Sequence, residues 1–154
     1  MKKLCLLFFA VALCLSSYAQ YVDLGLPSGT KWKSTNETGG NNGLYTYDEA
    51  IKAFGNKLPT LDQFDELIDN CKWEWTGKDY KVTGPNGNSI VLPAAGYRDC
   101  DGDGDVYLVG DYGRYWSSTP GDSEDAWGPL FGSGGVLMAN YRRCSGQSVR
   151  LVQD

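Results

Sequence analysis

Hydrophobic and polar positions change their period twice along this chain, and each change marks a new kind of element. Ala50, Ile51 and Phe54 fall on one side of a helical wheel. Thr46 and Glu49 precede and open that stripe at the spacing of a capping box, and Gly55 follows it as a stop. Thr60 and Gln63 repeat the device. Leu61, Phe64, Leu67 and Ile68 then form a second helical face, while Asp62, Asp65 and Glu66 read as solvated acids. After Cys71 the period drops to two. Trp73 and Trp75 alternate with Lys72 and Glu74, so both indoles point the same way from a strand. Tyr80–Thr83 and Ser89–Leu92 flank Asn86-Gly87, a strong turn pair, and predict a hairpin whose second strand extends through Tyr97.

The remaining apolar runs are short and β-like. Tyr21–Leu24 and Lys31-Trp32 bracket a turn at Leu26–Thr30. Tyr115–Thr119, Trp127–Phe131, Gly135–Tyr141 and Ser148–Val152 predict the closing strands. Between Arg98 and Gly113 lies an acidic, glycine-rich loop. The layout is α+β: two helices followed by a curled antiparallel sheet with long loops, in one domain over residues 20–154. Trp32, Trp73, Trp75 and Trp116 are expected in the core, and Trp127, behind the acidic run at Asp122–Asp125, is expected to be exposed.

The first residues follow a different pattern. Lys2 and Lys3 precede an apolar run from Leu4 to Leu15, and Ser17-Tyr18-Ala19 puts small residues where a signal peptidase reads. Residues 1–19 therefore read as a signal peptide, and the chain as exported. A lipoprotein signal ending at Cys14 and an uncleaved anchor are the rival readings; Leu13 sits where the former wants a small residue. Cleavage removes two lysines and takes the net charge from −5 to −7. A chain this acidic, with Arg142-Arg143 its only basic pair beyond the signal, does not suit a nucleic-acid backbone. No later apolar run is long enough to span a membrane.

The sequence contains no His, which excludes a Ser-His-Asp triad, a Cys-His pair and His-ligated zinc within the chain. No catalytic residues are assigned, although nineteen acids leave carboxylate chemistry open. Cys71, Cys100 and Cys144 would survive cleavage, and export permits a disulfide; three pairings are open, as is a set of three buried thiols. Asp99, Asp101, Asp103 and Asp105 alternate with Cys100 and two glycines, as in the first half of a calcium loop. The twelfth position is Gly110 where a bidentate Glu is expected, and Asp111 is the nearest substitute. Ca²⁺ is the one cofactor suggested, with a solvated acidic turn as the alternative.

Tyr21–Trp32, Leu58-Pro59-Thr60, Asn70-Cys71 with Trp73 and Trp75, Tyr80–Arg98, Tyr115–Thr119, Ala126-Trp127 and Gly146–Arg150, taken in order, resemble the Fibrobacter succinogenes major paralogous domain family, common in exported proteins of gut Bacteroidetes. The resemblance implies the periplasm, the cell surface or the medium of a Gram-negative bacterium. The resemblance covers nearly all of residues 20–154. It implies a C-type-lectin-like fold, two helices packed on a looped antiparallel sheet, and an activity of binding an unknown glycan or protein partner. A structural surface role is the alternative. Where the family often has a cysteine after its early tryptophan, this chain reads Trp32-Lys33-Ser34-Thr35-Asn36, so Cys71 lacks its usual partner. Cys100 and Cys144 are both unusual for the family, and that favours pairing them. The chain is also similar to the variable proteins of diversity-generating retroelements. On that reading Arg114, Gly128, Pro129, Gly132, Gly135, Leu137, Ala139 and Tyr141 are candidate ligand contacts, with an ordinary edge strand as the alternative; Trp127, an exposed Trp near acids, is a further candidate by analogy with sugar sites. Gly135, Leu137, Ala139 and Tyr141 are expected to point outward, opposite a core-facing Val136 and Met138.

Overall fold

The computed structural model describes residues 20–154. The expected signal peptide, with Cys14, lies outside the described residues. Two short strands, β1 (Tyr21–Asp23) and β2 (Lys31–Lys33), pair antiparallel, and β9 (Val152–Gln153) adds to β2. Helix α1 spans Tyr47–Phe54. The Thr46 hydroxyl accepts the Glu49 amide while the Glu49 carboxylate accepts the Thr46 amide, so two otherwise orphaned donors are satisfied reciprocally. Gly55 ends the helix at a φ of 52°, a conformation that glycine adopts without a Cβ penalty, and a 3₁₀ turn over Gly55–Lys57 follows. Helix α2 (Leu61–Asn70) opens on the same device between Thr60 and Gln63 and buries Phe64 and Leu67.

A second antiparallel sheet comprises β3 (Lys72–Trp75), β4 (Asp79–Thr83) and β5 (Ser89–Pro93), the last two joined by the Asn86-Gly87 turn. A third comprises β6 (Gly113–Arg114), β7 (Asp125–Gly132) and β8 (Gly135–Arg142). The fold is therefore α+β, but its strands form three three-stranded sheets instead of one curled sheet. Single bridges stitch them together, among them Tyr45 with Gln147, Arg98 with Gly146, and Tyr115 with Ser148.

Two expected strands are largely missing, and of the expected extension through Tyr97 only Pro93 joins β5. Residues 115–119 run beside β7 without forming a regular strand. The Tyr115 amide donates to the Pro129 carbonyl, yet Pro129 has no N–H to return, so the ladder stops after Arg114. Farther along, Trp127 accepts from the Ser117 amide but donates to Thr119, which bulges the segment. Of Ser148–Val152, only Val152 lies in a strand.

Two apolar clusters form the core. The first joins α2 to the β1–β2–β9 and β3–β4–β5 sheets through Leu24, Trp32, Phe64, Val82, Leu92 and Phe131. Trp73 and Trp75 pack against it, as expected. The second lies under α1 and gathers Tyr47, Ala50, Leu58, Trp116, Ala126 and Tyr141. Arg150 is fully buried between sheets and donates to Asn36 Oδ1, the Lys33 carbonyl and the Val91 carbonyl at 2.9, 3.0 and 2.6 Å. Cys100 and Cys144 form a disulfide with their Cα atoms 4.9 Å apart, and Cys71 is a free thiol.

Candidate functional site

The β7–β8 hairpin pairs without a bulge, from Asp125 opposite Arg142 to Gly132 opposite Gly135. Cross-strand partners project to the same face of an antiparallel pair. One face therefore carries Ala126, Gly128 and Leu130 of β7 with Leu137, Ala139 and Tyr141 of β8. Arg114 extends it, because Arg114 lies opposite Leu130 in β6. Seven of the nine residues singled out in the sequence share this face: Arg114, Gly128, Gly132, Gly135, Leu137, Ala139 and Tyr141. Trp127 and Pro129 lie on the other, with Val136 and Met138, which pack against the first core.

The two ends of the hairpin are covered on opposite faces. Near the turn the first core covers the Phe131–Val136 side, which leaves Leu137 56% exposed on the other. Near Tyr141 the second core covers the Leu137 side instead. Tyr141 is thus buried, with its ring edge-on to Trp116 at 6.2 Å, and its expected outward placement is corrected. Burial pushes its hydroxyl pKa up, against the opposing pull of Arg114. Trp127 is only partly buried, but it stands opposite Asn140 across the sheet plane from Leu137, so the expected patch joining Trp127 to Leu137 and Tyr141 does not form.

Gly128, Pro129 and Gly132 are also buried and offer no side chain to a ligand. A Cβ at Gly128 would overlap the Tyr115 carbonyl oxygen, and one at Gly132 would sit 3.0 Å from the Asp111 carbonyl. Gly135 is exposed at the hairpin turn. The accessible part of the face is Arg114, Leu130, Leu137 and Ala139.

Aromatic side chains from the acidic loop frame this remainder. The Arg114 guanidinium carbon lies 3.5 Å from the centroid of the Tyr97 ring and 5.1 Å from that of Tyr141. Tyr107 stands 6.0 Å beyond Tyr97. Tyr112 and Leu137 line a shallow depression of about 320 Å³ with Leu130 and Val136. Tyr107, Leu108, Val109 and Tyr112 are all exposed. The sequence reading passed over these four, although an apolar cluster inside an acidic loop was the signal for them.

The acidic loop itself is open. Asp99, Asp101, Asp103, Asp105 and Asp111 are exposed, and among the described residues no group of three or more His, Cys, Asp or Glu side chains is placed to hold a metal ion. Asp103, then partial burial, Asp105 and Asp99 push the Tyr107 hydroxyl pKa up. The disulfide anchors the loop at Cys100 to the end of the β7–β8 hairpin at Cys144.

A family model described as a domain of unknown function, DUF8237, matches residues 65–152. The chain belongs to this family. No curated protein and no solved structure matches it. The DUF8237 match begins inside α2 and takes in β3 to β8, so it contains the whole Arg114–Leu137 face, the acidic loop and both disulfide cysteines. Helix α1 and the β1–β2 hairpin lie before it.

Proposed function

We propose that this DUF8237 chain is an exported, non-catalytic binding domain of C-type-lectin-like fold that recognises a glycan or protein partner through the open face of the β6–β7–β8 sheet. The observation that carries the reading is that exposed Leu137 and Tyr112 line one depression with Leu130, in the same cross-strand row as Arg114. Scattered single hydrophobics need no explanation, but exposed apolar side chains that share one depression suit recognition. Two capped helices with small looped sheets are consistent with the lectin-like architecture. The Cys100–Cys144 disulfide and the signal pattern at the start of the chain support export. Among the described residues no helix is long and apolar enough to cross a membrane.

The two faces of the hairpin provide the test. A glycan array and a displayed random-peptide library are screened with wild type, and the strongest binders are then measured against Leu137→Asp and Trp127→Ala. Leu137→Asp is expected to weaken binding about tenfold or more, since it sets a charge at the centre of the apolar face. Trp127→Ala, on the opposite face, is expected to leave it unchanged. Retained binding by Leu137→Asp, or equal loss in both variants, refutes the assignment.

A further inference from the structure

The geometry points to Arg114 as the receptor for a carboxylate carried by a protein partner, with an apolar side chain of that partner seated on Leu130 and Leu137. This deepens the binding reading above and rests on it.

Arg142 is exposed, and the other arginines are withdrawn from solvent. Arg98, Arg143 and Arg150 are all partly or fully buried, and each donates hydrogen bonds to protein oxygens. Arg114 is withdrawn to a similar extent, yet among the described residues it has neither a hydrogen-bond acceptor nor an acidic partner. Its Nε is buried and unpaired. The two Nη groups donate no intramolecular hydrogen bond and are not among the buried unpaired atoms, so they reach solvent. This occurs in a chain with 19 acids against 14 bases, where a carboxylate partner was readily to hand.

The head group is nonetheless fixed in place. It is held against the Tyr97 ring, with the Tyr141 ring behind it. Stacking on an aromatic face is favourable for a guanidinium and limits its rotation, but satisfies none of its N–H groups. A positioned fork with two free donor nitrogens matches a carboxylate in bidentate geometry. The surroundings select what bears that carboxylate. Leu130 is directly opposite Arg114 and Leu137 directly opposite Leu130, so the apolar part of the site begins one strand spacing away. Leu130 and exposed Leu137, which line one depression with Tyr112, favour an apolar side chain over the hydroxyl-studded surface of a sugar. An Asp, a Glu or a chain-terminal carboxylate next to an apolar residue meets both requirements.

A random-peptide library displayed with free C-termini, and a separate panel of polyuronate oligosaccharides, are presented to wild type, Arg114→Gln and Leu137→Asp. Wild type is expected to enrich peptides that place an acidic group beside an apolar residue. Arg114→Gln is expected to lose about tenfold or more of that affinity, as befits a charge-assisted bidentate contact, and Arg114→Lys to recover only part of it. Fixing the peptide's carboxyl as an amide separates a side-chain acid from a terminal one. Circular dichroism and a melt establish that each variant is folded. Enriched peptides without an acid, no enrichment, or tighter binding to polyuronates than to any peptide overturns the inference. If Leu137→Asp abolishes binding while Arg114→Gln does not, the carboxylate assignment fails and the binding face survives. If neither variant matters, both fail.

Discussion

Arg150 offers the sharpest test of how the three sheets are held together. The guanidinium is fully buried and donates to Asn36 beyond β2, to Lys33 in β2 and to Val91 in β5, so one side chain bonds two sheets. Burial lowers its pKa, while Tyr115 and Glu37 oppose the shift. No carboxylate pairs with it among the described residues. Replacing it with Met keeps much of the volume but leaves three acceptors without donors, each costing about 1–3 kcal/mol if still buried. Removing a buried ion returns part of that, because burying it costs several kcal/mol. The balance predicts that Arg150→Met destabilises by about 2–4 kcal/mol. Arg150→Lys keeps the charge but reaches one acceptor well and abandons the fork, so it is expected to cost at least as much as Met. Urea unfolding of the oxidised protein, followed by tryptophan fluorescence, measures both. A neutral Arg150→Met, or an Arg150→Lys indistinguishable from wild type, would show that the three bonds do not determine the packing of the sheets.

Three further outcomes follow from other parts of the molecule. Reducing Cys100–Cys144 removes a link across a sequence separation of 44 residues, and chain entropy sets the loss at about 4 kcal/mol, readable as a lower urea midpoint with dithiothreitol present. Burial, aided by Glu66, pushes the Cys71 thiol up to about 11, and burial pushes the Tyr115 hydroxyl up to about 12. Both groups favour the neutral form in the fold, so their contribution is complete below about pH 9 and is lost as the pH rises towards 12. At pH 8 Cys71 should also react with Ellman's reagent about 10–100-fold more slowly than free cysteine. With no group of three or more acidic side chains placed to hold an ion among the described residues, millimolar calcium is expected to leave the melting temperature unchanged. A rise of more than about 2 °C would show that residues 99–111 rearrange around the ion.

Local chemistry made the helices legible in the sequence. Thr46 with Glu49 and Thr60 with Gln63 are short-range signals, and both caps form as the spacing indicates. The Asn86-Gly87 hairpin was equally local, whereas Trp127–Phe131 and Gly135–Tyr141 were read as strands without being read as partners. Strands that depend on distant partners were not. Residues 115–119 have a strand-like composition, but the missing N–H of Pro129, fourteen positions after Tyr115, ends their ladder. Alternation correctly put Leu137 outside and Val136 and Met138 against the core. The same alternation failed at Tyr141, because period two specifies which residues share a face and not which stretch of that face a neighbouring layer covers. Trp127 was misplaced for the complementary reason: its phase relative to β8 depends on a register that turn residues alone did not reveal.

Gly128 constrains how this face can evolve. The Tyr115 carbonyl occupies the space of any side chain there, so a gene that sampled every residue of β7 and β8 would lose its fold at that position before it gained a new specificity. Changes to this face therefore fall on Arg114, Leu137 and Ala139, whose side chains already project from it, while Gly128 opposite Ala139 stays bare.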